Sequence, residues 1–195
     1  MINDLTRYNQ IRDRIRTGDD IQFASFSMLG LAIRFVTGAP VNHVAKVVIL
    51  TDQTGAKRIC IVEAMENGMQ TRYLSERLQQ FSGVVYWCPI RSDFAPVMPH
   101  FPKAIAALQD RMDIEWVKYD YWSIIRQLFG RVGQDASQMF CSEAAWMVTE
   151  DAVNMSGDRL AMHIILSMKA RWGGKAPNPG DIFSSGLYQN SHQIM

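Results

Sequence analysis

The sequence predicts an α+β domain in which a small antiparallel sheet packs against helices, and three observations carry that prediction. Segments rich in β-branched residues (VNHVAKVVIL from Val41, RICIVEA from Arg58, GVVYWCPI from Gly83) fall in the first half of the chain. Segments with helical spacing fall mainly in the second half, unlike the strand–helix alternation that builds a parallel sheet. With 195 residues, 48% of them hydrophobic and 20% charged, residues 1–195 suffice for one domain with a buried core.

From the N-terminus, Leu5, Tyr8, Ile11 and Ile15 recur at helical spacing, so an amphipathic helix is expected within 1–16, with Gly18 where a helix stops. Gly18-Asp19-Asp20-Ile21-Gln22-Phe23 reads as a turn into a short strand. The mostly apolar run 27–36, closed by Thr37-Gly38-Ala39-Pro40, reads as a buried helix. Two β-rich segments then flank the turn DQTGAK and form a hairpin. Residues 67–82 read as a turn and a short helix around LSERL, and Gly83 and Pro89 bound a further strand. Pro96, Pro99 and Pro102 lead into a helix at 103–112. More helices are expected at 120–129, from Cys141 and at 158–170, and the tail APNPGDIFSSG reads as a turn followed by a short strand.

Bulk properties exclude several classes. A formal net charge of +1 without a basic stripe lacks the electrostatic footprint of a nucleic-acid binder. No apolar run has the length of a membrane span. The first twenty residues are charged throughout and have no apolar core of a secretory signal, so a cytoplasmic location is expected. Cys60, Cys88 and Cys141 are odd in number and dispersed, which fits neither a disulfide framework nor a paired zinc motif. The 12 methionines read as adaptable core filler.

QMFCSEAAWMVTE, residues 138–150, places Cys141 where a helix begins. Unpaired backbone N–H groups and the helix dipole stabilise a thiolate there, although a buried, inert cysteine would leave the same trace. A reactive thiol needs a base, normally a histidine oriented by a third group. His100 lies in a proline-rich loop, His163 in a helical stretch and His192 among the last four residues. His43 opens a strand at the rim of the sheet, where a side chain can meet a helix terminus. With the hairpin turn centred near Gln53, His43 pairs with Glu63, Ala45 with Ile61 and Val47 with Ile59, all on one face. A carboxylate among apolar groups requires a partner, and His43 would supply it. A one-residue slip would separate the two, and a Glu63 at a solvated strand end is the alternative. Cys60 has the opposite parity; Cys60 and Cys88 read as buried, inert thiols.

Taken in order, GDDIQF, NHVAKVV, VEAMENGM, KYDYW, FCSEAAW and NPGDIF resemble the permuted papain-like cysteine hydrolases of the YiiX/YebB type, relatives of the NlpC/P60 superfamily, over about residues 17–185. In ordinary NlpC/P60 domains the cysteine precedes the histidine; here the order is reversed. The resemblance implies a circularly permuted papain-like fold with Cys141 as nucleophile, His43 as general base and Glu63 as the group that orients it. It also implies that the Tyr119 hydroxyl helps hold the oxyanion beside the Cys141 backbone N–H, and that Glu143 is structural. Asn42 stands where the family often has Ser, and the missing export signal departs from relatives that act at the cell envelope.

The implied activity is hydrolysis, through an acyl-enzyme, of an amide in a peptide, isopeptide or peptidoglycan fragment, or of an ester in an acylated small molecule. Acyl transfer and thioester cleavage belong to the same chemistry, and none requires a metal or cofactor. A phage origin would favour cell-wall cleavage and a place in the virion or envelope. Two other classes stay open: a catalytically idle binding or structural protein within a larger assembly, and a metal site built from His43, Glu63 and Cys141.

Overall fold

Six strands, Asp20–Ser25 (β1), His43–Thr51 (β2), Lys57–Met65 (β3), Gly68–Tyr73 (β4), Gly83–Cys88 (β5) and His192–Gln193 (β6), form one sheet in the order β4-β3-β2-β1-β5-β6. Every neighbouring pair is antiparallel, so the expected α+β class with an antiparallel sheet holds. The computed structural model describes residues 3–65, 68–115 and 141–195. Among these, the α-helices are Thr6–Ile11 (α1), Met28–Thr37 (α2), Leu74–Gln80 (α3), Phe101–Glu115 (α4), Cys141–Ser156 (α5), Arg159–Arg171 (α6) and Pro179–Phe183 (α7). None of them is long and apolar enough to cross a membrane.

Alternation along the strands divides the core in two. Val44, Val48, Cys60, Val62 and Ala64 face α4 and α5, where Phe101, Ile105, Leu108, Trp146 and Val148 complete a buried cluster. Ile21, Phe23, Ala45, Val47, Ile61 and Trp87 point to the other side and meet Tyr8, Ile15, Leu74 and Leu78. Gly18 turns the chain into β1 with φ 97°, and a Cβ there would lie 2.4 Å from the Phe101 ring, so the close approach requires glycine.

The hairpin register differs from expectation by two residues: Val47 pairs with Ile61, Val48 with Cys60 and Thr51 with Lys57. Asp52 is the cause. Its Oδ1 accepts from the backbone N–H groups of Thr54 (2.9 Å) and Ala56 (3.0 Å), which builds a five-residue turn centred on Thr54. An even shift leaves every side chain on its expected face.

Four further expectations are corrected. The N-terminal helix stops at Ile11 and continues only as a 3₁₀ turn, Arg12–Arg14, beyond which Ile15 is extended and buried. β4 replaces part of the turn expected from 67 onward, because GMQTRY pairs along the edge of β3 without a β-branched run. Pro179–Phe183 is a short helix rather than a strand, started by an Asn178 capping box with Asp181. Finally, α2 is not buried as a whole: Met28, Leu31 and Phe35 are 90%, 47% and 89% exposed, while Ile33 is buried. The helix expected at 120–129 lies outside the described residues.

Candidate active site

His43 is the first residue of β2, and its position is tied from both sides. The Asn42 backbone N–H donates to the Phe23 carbonyl (2.8 Å), and Asn42 Oδ1 accepts from the Ser25 N–H (2.7 Å). The Asn42 side chain therefore clamps the end of β1 to the start of β2. Phe23 is the cross-strand partner of His43, and its ring lies 5.6 Å from the imidazole.

Glu63 sits on β3, diagonal to His43 on the same face, with its side chain wholly buried. His43 Nε2 and Glu63 Oε2 are 2.7 Å apart, the separation of a charge-assisted hydrogen bond. Two guanidinium groups stand near the other oxygen: Arg77 Nε of α3 at 3.1 Å and Arg72 Nε of β4 at 3.9 Å. The Arg77 contact is an ion pair whose angle falls outside hydrogen-bond geometry. Burial works against the Glu63 charge, yet His43, then Arg77 and Arg72, outweigh it and hold the carboxyl below its usual range.

Cys141 opens α5, the helix packed on the opposite face of the sheet, and is 4% exposed. Because His43 lies at the rim, its ring reaches the helix N-terminus, and the thiol hydrogen-bonds to it. Burial alone would press the imidazole toward its neutral form. Its interactions with Cys141 and then with Glu63 overcome that, and His43 is raised to about 10. Since Nε2 is engaged by Glu63, Nδ1 is the nitrogen left for the thiol.

The other cysteines differ in surroundings. Cys60 is 2% exposed and Cys88 fully buried; burial raises both thiols, Cys88 to about 12. His192 stacks on Trp87 (5.2 Å), and His163 lies on α6, away from this constellation. Tyr119 lies outside the described residues. Glu143 occupies the first turn of α5. A cleft of about 400 Å³, lined by Tyr8, Arg12, Lys57, Arg58 and Tyr73 among others, lies at the far end of the hairpin and contributes nothing to these contacts.

Arg77 and Arg72 were not expected from sequence. Arg77 lies in the LSERL helix and Arg72 on the unforeseen edge strand, and no periodicity links either to a glutamate on β3. The pairing depends on how α3 lies across the sheet.

Among the described residues, no group of three His, Cys, Asp or Glu side chains could hold a metal ion. His43 and Glu63 spend their facing atoms on each other, at hydrogen-bonding distance.

Models of known protein families give no match to the chain, and neither do curated proteins. Solved structures do. One of them, the metalloprotein YiiX from Escherichia coli O157:H7, superposes with a TM-score of 0.55 at 17% sequence identity, over 92% of this chain and 96% of its own. The likeness is one of fold: this chain has a YiiX-like α+β architecture along nearly its whole length.

Proposed function

We propose that the protein is a cysteine hydrolase of the permuted papain-like, NlpC/P60-related kind, acting through Cys141, His43 and Glu63. One observation carries the reading: the thiol at the start of α5, the imidazole at the start of β2 and the buried carboxylate of β3 form one hydrogen-bonded chain, with 2.7 Å between His43 and Glu63. The order of these residues along the chain, histidine before cysteine, is that of the permuted group.

In the proposed reaction the imidazolium and the thiolate stabilise each other, which makes Cys141 nucleophilic near neutral pH. The sulfur attacks the carbonyl carbon of an amide or ester. As the C–N or C–O bond breaks, His43 gives its proton to the leaving group, and the acyl group stays on sulfur. A water then loses a proton to His43 and attacks the thioester, releasing the acid and restoring the ion pair. Throughout, Glu63 keeps the Nε2–H toward itself, so that Nδ1 faces the sulfur. In this reading the backbone N–H of Cys141 receives the developing oxyanion, and Tyr119 is the side chain proposed to join it. The substrate class is a peptide, isopeptide, muropeptide or acylated small molecule.

The test compares the three thiols. At pH 6–7 iodoacetamide should alkylate Cys141 at least about tenfold faster than Cys60 or Cys88, and His43→Ala should remove the advantage. Equal rates would refute the nucleophile and favour a catalytically idle binding protein. Amide, ester and muropeptide panels, with Cys141→Ser as control, then identify the bond that is cleaved.

A further inference from the structure

Glu63 offers His43 only one of its two oxygens, and the environment of the other is as closely built. Arg77 Nε lies 3.1 Å from Oε1, and its side chain is 15% exposed. The guanidinium lies over two adjoining aromatic rings, 5.2 Å from the centroid of Phe23 and 5.2 Å from that of Phe81. These rings meet edge to face at 5.0 Å, and Phe23 also touches the His43 ring. A cation seated on two ring faces is held beside the carboxylate by cation–π attraction as well as by charge.

We propose that Arg77 is a positioning residue of the same site: through Glu63 it fixes the orientation of His43 and supplies the positive charge that lets the Cys141 thiolate persist in a buried setting. The inference rests on the proposed cysteine chemistry. Its physical basis is a balance of charge. Thiolate, imidazolium, carboxylate and the nearer guanidinium sum to zero, whereas without Arg77 only the more distant and more exposed Arg72 offsets the excess negative charge of the reactive form, which is costly in a buried setting. Removing the cation therefore favours the protonated thiol. The charged groups facing Glu63 and His43 from the packed elements are Cys141 of α5, Arg77 of α3 and Arg72 of β4. Arg72 is the weaker contributor, since it stands 3.9 Å away, is 37% exposed and also donates to Gln70 Oε1.

The experiment is the pH profile of Cys141 alkylation in the full chain, followed by mass spectrometry, for wild type and for Arg77→Met, Arg77→Gln, Arg77→Lys and Arg72→Met, each checked for folding by circular dichroism. The midpoint of the acidic limb should rise by about half a pH unit or more in Arg77→Met. It should return close to wild type in Arg77→Lys and shift less in Arg72→Met. Should Arg77→Met fail to fold, Arg77→Gln, with a planar uncharged amide in place of the guanidinium, carries the same test. A folded, uncharged variant with an unmoved midpoint overturns the role of Arg77 while leaving the thiol chemistry intact. If wild-type Cys141 instead titrates near 8.5 like a free thiol, the cysteine-hydrolase reading fails first and this inference falls with it.

Discussion

Glu63 is charged in a place without solvent, so the stability it contributes is set by its neighbours. Its folded pKa lies below the ordinary value: burial opposes the charge, but His43, Arg77 and Arg72 prevail. A carboxylate of this kind stabilises the fold above its unfolded pKa, about 4.3, and that contribution is lost as pH falls through the folded value. His43 has the opposite sign. Raised to about 10, it contributes in full below about pH 6.5, less as pH climbs, and nothing once pH passes its folded value. Glu63→Gln is thus expected to cost about 3 kcal/mol at pH 6, because it leaves two buried cations without their counter-ion. Urea titrations of wild type and variant should show that gap closing below pH 4; a gap that persists unchanged at pH 3.5 would mean that the carboxylate charge is not what stabilises this corner. His43 and Glu63 were legible in the sequence because strand alternation needs only parity, and the two-residue error in register preserved it. Arg77 was illegible for the converse reason: a helix residue acquires a strand partner only through tertiary packing.

At the scale of elements, β-branched runs disclosed β2, β3 and β5, and the helical stretches from Cys141 and over 158–170 disclosed α5 and α6. What the sequence hid were elements whose residues do not advertise their setting, such as the polar edge strand β4 and the short capped helix α7. With α2 the error concerned orientation. Its residues are mostly apolar, so composition could not say which side is covered. Gly30 decides it: a Cβ there would lie 2.8 Å from the Ser25 Cβ, so this side lies against the end of β1 and turns Met28, Leu31 and Phe35 outward. Two substitutions of similar chemistry should therefore behave differently. Phe35→Ser, at an 89% exposed position, should change the unfolding free energy by less than about 0.5 kcal/mol. Ile33→Ala, at a 7% exposed one, should cost about 2 kcal/mol. Equal costs in thermal or urea unfolding would mean that the outer face of α2 is covered in solution.

Across the whole molecule, the chain is closed by a buried polar cluster that joins its first strand to its last residues. Asp20 and Lys46 are direct cross-strand partners, 2.7 Å apart at Oδ1 and Nζ and both essentially without exposure. The Tyr188 hydroxyl donates to Asp20 Oδ2, which draws the C-terminal segment under β1 so that β6 can pair with β5. A lysine within VNHVAKVVIL and paired aspartates in GDD were the traces of this cluster in the sequence, readable only once the β1–β2 register is known. Burial raises the Asp20 pKa, and Lys46 is the main influence opposing it. Lys46→Met therefore leaves an anion that must take a proton to stay inside, and it is expected to cost about 3–5 kcal/mol at pH 7. Because that cost is largely one of protonation, it should shrink as pH falls toward 4, the unfolded value of an aspartate. Replacing the whole cluster, with Asp20→Leu, Lys46→Met and Tyr188→Phe together, removes every group that needs a partner and should cost far less than Lys46→Met alone. Urea unfolding of the single and triple variants at pH 5 and 7 decides the matter. If the triple variant is the less stable one, the ion pair holds the two ends of the chain together by more than mutual neutralisation.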